Sequence, residues 1–552
     1  MRTPLLAAML LAASCTPVES GPPAKTAAPE SAVIYTAAVV HTLDPKHPKA
    51  RGVRVENGRI THVIDGEPPA DLSGKRIDLP GAAILPGLVD AHLHLRGLGA
   101  TAREVDLRGT KSPEEVADRI REAAGKAPPG AWIRGRGWDQ NDWQKKEFPD
   151  HAALDKAAPG RAVVLSRVDG HALWVSAPVL AAARIDATTK APQGGEILHD
   201  AAGAPTGVLV DNAMDLVARA APPATPAEVR ADLERGMELC RRAGLTAVHD
   251  MGTEPEVLRE LRALESEGRV TLRVYAYLGG DWSAIEPMLQ TPPDRAGLVR
   301  VVGIKLFADG ALGSRGAALF NPYSDRPDTT GLLVTSEDDL KKRAMAAHRA
   351  GHAVTIHAIG DRGNHIALDA LAAARTLGGT QPSHRIEHAQ ILAPDDIERF
   401  RNHHVVASMQ PTHATSDMPW AEARVGPERI KGAYAWRTLL DRGVTVAFGS
   451  DAPVEGESPW LGIYAAVTRM DTEGRPPGGW RPHERVTLLE AITAFSATPN
   501  EVVKSEVAGY VMPGNVADLT IVASDPFSVP VEALKGMRTV RTIVAGREVF
   551  AE

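Results

Sequence analysis

Cysteine is almost absent from this chain, which has only Cys15 and Cys240 among 552 residues. Two cysteines exclude a disulfide-dense scaffold and a cysteine-based zinc site. An excess of one charge is also missing, since 62 Lys and Arg stand against 69 Asp and Glu. This mildly acidic balance argues against an electrostatic nucleic-acid binder. Nineteen histidines are present, so a bound metal would have nitrogen and oxygen ligands.

Several catalytic motifs are also missing from the sequence. The chain has no GxxxxGK[ST] phosphate loop, no GxSxG nucleophile elbow and no HExxH zinc motif. Its hydrophobic fraction of 43% is that of a globular protein rather than a disordered one. The length exceeds that of one typical domain.

The first residues are typical of an export signal. Arg2 precedes an apolar run, Pro4 to Ala13, which is too short to span a bilayer. The string LLAASC predicts a bacterial lipoprotein signal over residues 1–14, with Cys15 as the lipid attachment point and residues 15–32 as a tether. The alternative is an ordinary signal peptide with an incidental Cys15. The lipoprotein reading predicts an exported protein at the periplasmic or outer membrane face, in contact with the membrane only through this anchor.

Both ends of the remaining chain have the pattern of short strands. Asn57-Gly58 separates two apolar runs and predicts a hairpin, and Ala545-Gly546 makes a similar turn. Residues 33–85 and 496–552 are therefore predicted to form one small β-sandwich-like domain from both ends of the chain.

The middle of the chain alternates apolar runs with helical segments. Eight strands alternating with helices predict an α/β fold, a closed (β/α)₈ TIM barrel over residues 86–495. An insertion at about 100–243 follows the first strand and is expected to form a lid. The predicted strands are Leu85–Ala91, Thr246–Asp250, Leu272–Leu278, Val301–Phe307, Ala353–Ile359, His384–His388, Val405–Gln410 and Val444–Gly449.

Metal-ligating residue types follow several of these strands. His92 and His94 come at the end of the first strand, where a spacing of two places both imidazoles on one face. Active sites of barrels lie at the carboxyl ends of the strands, so further side chains are expected to converge with this pair. Each has a structural alternative: a barrel-interior histidine, a helix cap or a surface lysine. These residues are Lys305, His357, His388 and Asp451.

The ordered set His-x-His, Lys, His, His, Asp resembles the binuclear amidohydrolase superfamily. The strings PGLVDAHLHL, GIKLFADGALGSRGAAL, TIHAIGD, RIEHAQ and FGSDAPV look like its YtcJ-like branch, which includes N-substituted formamide deformylases. The resemblance covers almost everything after Val33.

This resemblance implies that six residues bind two divalent ions. His92, His94 and Asp451 would bind one ion, His357 and His388 the other, and Lys305 would bridge both as a carbamate formed with carbon dioxide. Zinc fits such ligands, as do manganese and iron. Asp451 would also carry the proton from the metal-bridging hydroxide to the leaving amine.

The candidate substrate contacts lie mostly in loops and in the insertion. Trp138, Asp139 and Trp143 could line the pocket or form a packed aromatic cluster. His171 is expected to stabilise the oxyanion. Asp309 and Arg315 follow Lys305 and could contact substrate or pair with each other.

Three further polar residues are interpreted as structural. The alternation of side chains along the strand places Arg385 and Glu387 away from the barrel interior. His249 is interpreted as a barrel histidine, with a supporting role at the site as the alternative.

The implied activity is hydrolysis of a non-peptide carbon–nitrogen bond in a small amide or formamide. The same site could deaminate an amidine or cleave an ester or lactone, and a non-catalytic scaffold is the alternative of a different class. No nucleic-acid partner is expected. A homodimer stays open, because barrels often dimerise and nothing in the sequence indicates it.

Overall fold

The computed structural model describes residues 32–379, 383–506 and 509–552. Its centre is a nearly closed barrel of eight parallel strands, numbered here β1 to β8 in chain order. The prediction of an α/β barrel is confirmed. The strands are β1 (Leu88–Leu93), β2 (Leu245–Thr253), β3 (Arg273–Leu278), β4 (Val299–Phe307), β5 (Ala353–Ala358), β6 (Arg385–His388), β7 (Val406–Met409) and β8 (Val446–Phe448).

The barrel strands are buried along almost their whole length, which explains their continuous apolar runs. Helices cover them on the outside, and several start with capping residues such as Thr225 and Thr487. The helices around the barrel and at the carboxyl ends of its strands are Pro226–Arg242, Pro255–Ser266, Trp282–Ile285, Glu337–Arg349, Asp361–Arg375, Pro394–Asn402, Pro411–Asp417, Ala421–Arg429, Trp436–Asp441, Pro459–Thr468, Leu488–Ala494 and Ala497–Val502.

A seven-stranded mixed sheet combines segments from both ends of the described chain. The turns at Asn57-Gly58 and Ala545-Gly546 have positive φ at all four residues, as two-residue hairpins require. They also pack against each other, and a Cβ on Gly546 would lie only 2.7 Å from the Cα of Gly58. The strands are Val33–His41, Lys49–Glu56, Arg59–Ile64, Lys75–Pro86, Leu519–Val522, Thr539–Val544 and Arg547–Ala551.

This composite sheet is attached to the amino-terminal side of the barrel. The hydroxyl of Thr520 donates to the carbonyl oxygen of Gly244 and accepts the backbone N–H of Leu88. The guanidinium of Arg273 on β3 forms a buried ion pair with Asp518 at 2.7 Å. The composite sheet therefore contacts the beginnings of β1, β2 and β3. The candidate ligands lie at the opposite ends of the barrel strands.

The segment between β1 and β2 forms its own six-stranded mixed sheet. Its strands are Val105–Asp106, Ile133–Trp138, Val163–Arg167, Ala172–Val175, Gly195–His199 and Pro205–Asp211. Its helices are Leu95–Ala100, Pro113–Lys126, Ala152–Ala157, Ala177–Ala182 and Met214–Ala220. Helix Pro226–Arg242 packs against Leu95–Ala100, and Gly99 comes so close to it that a Cβ would overlap the carbonyl of Asp232.

The predicted signal peptide, Cys15 and nearly all of the predicted tether lie outside the described residues. Over the part that the structure does describe, no helix is both long and apolar enough to cross a membrane.

Candidate metal centre

His92, His94 and Asp451 come together where β1 and β8 end. Nε2 of His94 lies 3.1 Å and Nε2 of His92 lies 3.4 Å from Oδ1 of Asp451. Nε2 of His92 and Oδ1 of Asp451 are buried, and neither forms a hydrogen bond within the described structure. Two facing buried atoms without hydrogen bonds are costly unless another group satisfies them, and a cation would do so. The three residues therefore fit a metal ion.

Local backbone contacts hold this arrangement in place. The backbone N–H of Asp451 donates to the carbonyl oxygen of His92 at 2.7 Å and so connects the ends of the first and last strands of the barrel. Asp90 accepts the backbone N–H of both His92 and Ser450, each at 3.0 Å. Gly449 allows this close approach, because a Cβ there would lie 2.5 Å from the backbone nitrogen of His92.

Asp451 itself has φ of +61°, a left-handed conformation that is unfavourable for most residues. Burial alone would raise the pKa of its carboxyl, but His92, His94 and His388 hold that pKa well below its usual range. The carboxylate is therefore ionised and available as a ligand.

Lys305, His357 and His388 surround this group from β4, β5 and β6. The rings of His92 and His388 are 4.9 Å apart, and those of His388 and His357 are 4.6 Å apart. Lys305 is 4% exposed, and its burial lowers the pKa of the ammonium to about 8. Burial also lowers the pKa of both His357 and His388 well below the usual range, so both imidazoles are neutral, as metal ligands must be.

The prediction that Arg385 and Glu387 face away from the barrel interior is wrong. Nδ1 of His92 donates to Oε2 of Glu387 at 2.6 Å, and Arg385 forms an ion pair with the same carboxylate. The alternation along β6 places these two residues inside the barrel, and it breaks at His388, where φ is +72°. This turn of the backbone brings His388 into the site as well.

Glu387 connects the candidate ligands to a buried polar network. Its carboxylate accepts from Thr355, and Arg385 also donates to Nδ1 of His249 at 2.8 Å. Burial alone would raise the pKa of Glu387, but Arg385 and His92 hold it well below its usual range. His249 therefore supports the site indirectly through Arg385. A carboxylate on the second nitrogen of a histidine fixes its tautomer and leaves Nε2 free for a metal.

A cavity of about 520 Å³ lies over this group, between the barrel and the inserted segment. His357, His388 and Asp451 form part of its wall from the barrel side, and Asp139 and His171 from the insertion. Asp139 forms an ion pair with Arg167, which is buried and also pairs with Asp169.

His171 is held in the cavity wall by a buried carboxylate. Nδ1 of His171 donates to Oδ1 of Asp211 at 2.7 Å, and the His171 ring lies 4.9 Å from that of His357. Burial alone would lower the pKa of His171, but Asp211 raises it above the usual range. Asp211 was not predictable as the partner of His171, because this carboxylate lies 40 positions away in the chain.

Three of the other candidate substrate contacts, Trp138, Asp309 and Arg315, pack or form hydrogen bonds within the protein. Trp138 is fully buried in a cluster with Trp143 and Trp174, as the alternative interpretation proposed. Asp309 is also fully buried and accepts the backbone N–H groups of residues 318, 359 and 360. Arg315 pairs with Asp325 at 2.9 Å instead of with Asp309. The structure thus gives Trp138, Asp309 and Arg315 packing and hydrogen-bonding contacts inside the protein.

His413 is a site residue that the sequence analysis missed. It lies on helix Pro411–Asp417, directly after β7, and its Nε2 is 3.6 Å from Oδ2 of Asp451. His388, His413 and Asp451 form a second group whose ligand atoms lie within 4.8 Å of one another. The available signal was the position of His413, four residues after Met409 ends a barrel strand.

Sequence comparisons relate the chain to the amidohydrolase family. A family model described as the amidohydrolase family matches residues 75–550. The protein YtcJ of Bacillus subtilis (strain 168) is 32% identical over 527 residues, which cover 94% of this chain and 99% of YtcJ. The N-substituted formamide deformylase of Arthrobacter pascens is 27% identical and covers 92% of this chain and 96% of its own length.

Solved structures of metal-dependent hydrolases are also similar to this chain. A metal-dependent hydrolase from Pyrococcus horikoshii superposes with a TM-score of 0.73 at 28% identity, covering 91% of this chain and 99% of its own. Another, from Pyrococcus furiosus, has a TM-score of 0.70 at 30% identity and covers 90% of this chain and 100% of its own. The likeness therefore extends over both the barrel and the composite sheet.

Proposed function

The chain belongs to the amidohydrolase family, and from this membership we propose that it hydrolyses a non-peptide carbon–nitrogen bond in a small amide or formamide. The observation that carries the proposal is the group of His92, His94 and Asp451, of which His92 and Asp451 are buried, under a cavity of about 520 Å³. A cavity of this size suits a small organic molecule. The deformylase of Arthrobacter pascens supports the amide class among alternatives that the same ligands could serve.

The proposed centre holds two divalent cations, with zinc as the expected metal. His92, His94 and Asp451 would hold one, His357 and His388 would contribute to the other, and Lys305 would bridge them as a carbamate. When bound, the cations would supply Lewis acidity and a water molecule that ionises near neutral pH. Glu387 orients His92 for this role, and Gln410 does the same for His388 by accepting from its Nδ1 at 2.7 Å.

Asp451 is the proposed general base and acid. Its carboxylate is ionised, borders the cavity and lies next to the ligand nitrogens, so it can accept a proton at Oδ1 or Oδ2 and return it to the leaving amine.

His171 is the proposed donor to the carbonyl oxygen of the substrate. Asp211 occupies its Nδ1–H, so Nε2 carries a proton only when the imidazole is charged. The raised pKa of His171 favours that charged form, which would stabilise negative charge developing on the oxygen. Asp139, held by Arg167 in the cavity wall, is the proposed contact for a polar group elsewhere on the substrate.

The test is a substrate panel on purified protein of known metal content. N-formyl amines and N-acyl amino acids represent the proposed class, and amidines, esters and lactones represent the alternatives. We expect hydrolysis of an amide or formamide that a chelator abolishes and added zinc or manganese restores. Faster turnover of an amidine, ester or lactone would replace the proposed substrate class. No turnover of any compound by the fully metal-loaded protein would favour a non-catalytic scaffold.

A further inference from the structure

We infer that His413 is a ligand of the second cation, together with His388, at a position that Asp451 borders. This inference rests on the proposed metal-dependent function and changes its ligand set, because His413 lies outside the pattern of strand-end residues that predicted the site. Three observations carry it: the position of its free nitrogen, the shared carboxylate of Asp451 and the surroundings of His357.

The free nitrogen of His413 is buried and faces the candidate centre. The residue is 8% exposed, and its Nε2 forms no hydrogen bond in the described structure. The rings of His413 and His388 stack at 5.8 Å with 18° between their planes. Nε2 of His413 lies 3.6 Å from Oδ2 of Asp451, so a cation bound to this nitrogen would lie next to the carboxylate.

The two oxygens of Asp451 face different histidines. Oδ1 lies 3.1 Å from His94 and 3.4 Å from His92, whereas Oδ2 faces His413. Oδ1 is therefore placed for the cation on His92 and His94, and Oδ2 stays available to accept the proton that the proposed mechanism assigns to this carboxylate. Asp451 would then border both cation positions, the first on His92 and His94 and the second on His388 and His413.

His388 and His413 each have a glutamine next to Nδ1. Gln410 accepts from Nδ1 of His388, and its own amide nitrogen donates to the carbonyl oxygen of Ser408, which fixes its orientation. Nε2 of the Gln390 amide lies 3.3 Å from Nδ1 of His413, and Oε1 of Gln390 forms no hydrogen bond in the described structure. A half-turn of the Gln390 amide would put Oε1 on Nδ1–H of His413. His413 would then repeat the His388–Gln410 pair, with Nε2 free for a metal.

His357 is directed differently. Its Nε2 lies 3.4 Å from the carbonyl oxygen of Gly310 and 3.8 Å from Oδ1 of Asp309, and its ring packs on His171. Nε2 of His357 therefore lies near Gly310 and Asp309, whereas Nε2 of His413 lies near Oδ2 of Asp451. The geometry therefore assigns His413 to the second cation position and leaves His357 as an additional ligand.

The test compares the metal-depleted full-length protein with His413→Ala and Thr415→Ala during titration with cobalt. Thr415 lies on the same helix and lines the same cavity but offers no nitrogen ligand, so it is the matched control. We expect wild type and Thr415→Ala to bind about two cobalt ions per chain, and His413→Ala to bind the second about tenfold or more weakly. The visible absorption of cobalt should change with that second equivalent, because a ligand has been lost.

The outcomes separate this inference from the proposed function. Two cobalt ions bound by His413→Ala with wild-type affinity and absorption would overturn the role of His413. A wild-type protein that binds no metal, or that binds metal but hydrolyses nothing in the panel, would instead overturn the proposed function. If His413→Ala fails to fold, His413→Asn keeps a polar group near Nδ1, and the same titration gives the same two answers.

Discussion

Nδ1 of His92 donates a hydrogen bond of 2.6 Å to Glu387, and both side chains are completely buried. The carboxylate is itself held by Arg385 and Thr355. The His92 ring therefore has a fixed tautomer and a fixed orientation before a metal binds. Metal affinity in this protein should depend on a residue that does not contact the metal.

Glu387→Gln tests that dependence. The amide keeps the size of the side chain but loses the negative charge that orients His92 and balances Arg385. We expect metal affinity to fall about 10- to 100-fold, measured by competition with a coloured chelator. Glu484→Gln is the matched control, because Glu484 is a buried carboxylate that accepts from Thr438 and does not line the cavity. Equal metal affinity in Glu387→Gln and wild type would contradict the role of Glu387.

Asp451→Asn should nearly abolish hydrolysis. The amide cannot accept the proton that the proposed mechanism assigns to this carboxylate, and we expect kcat to fall roughly 10²- to 10⁴-fold. Metal content should fall too, since Asp451 contacts His92, His94 and His413. Steady-state kinetics and elemental analysis on the same samples check both effects. Unchanged kcat in a variant with full metal content would exclude Asp451 as the proton carrier.

Asp211→Asn should shift the pH dependence of activity. Asp211 raises the pKa of His171, so His171 keeps its charged, donating form to higher pH than a free histidine. Asparagine can still accept from Nδ1 but removes the negative charge, so the pKa of His171 falls. We therefore expect the alkaline limb of kcat/KM to move to lower pH, with metal content unchanged. A profile that coincides with that of wild type would refute the proposed role of His171.

Lys305→Arg tests the carbamate. The guanidinium stays protonated and cannot react with carbon dioxide, whereas the pKa of Lys305, lowered to about 8 by burial, provides more neutral amine than a free lysine has. We expect bicarbonate to increase binding of the second cation to the metal-free wild type and to have no effect on Lys305→Arg. Identical bicarbonate dependence in both proteins, or an unmodified lysine in the mass spectrum of the metal-loaded enzyme, would argue against the bridge.

Cys15→Ser tests the proposed lipid anchor. If Cys15 carries the lipid, its replacement should move the protein from the membrane fraction to the soluble fraction of exporting cells. Cys240→Ser is the control, since Cys240 is fully buried in a barrel helix. The same fractionation of Cys15→Ser and wild type would exclude the anchor.

The barrel was predictable because its strands are buried on both faces. Continuous apolar runs such as Ala353–Ala358 are visible in the sequence, and all eight predicted strands overlap barrel strands. The first prediction began too early, because Leu85 and Pro86 belong to the composite sheet. The residues that follow these strands were predictable for the same reason, since the carboxyl ends of a barrel's strands must converge.

What the sequence could not provide are contacts that depend on backbone detail. The alternation rule failed along β6, because φ of +72° at His388 puts it on the same side as Arg385 and Glu387. His413 lies on a short helix, and no strand periodicity indicates where such a helix points. Asp211 ends the strand Pro205–Asp211, which pairs with Ala172–Val175 next to His171, and this pairing depends on turns that the sequence specifies only weakly.

The composite sheet makes the two ends of the chain depend on each other during synthesis. Leu88 and Thr520, which share a hydrogen bond at its junction with the barrel, are 432 positions apart. On the ribosome, the strand Lys75–Pro86 therefore emerges long before Leu519–Val522, its antiparallel neighbour. Until then it has an unpaired apolar edge, which is a template for pairing with other chains. Truncation before Leu519 would make that exposure permanent, so aggregation of the nascent chain is a hazard that only the last strands remove.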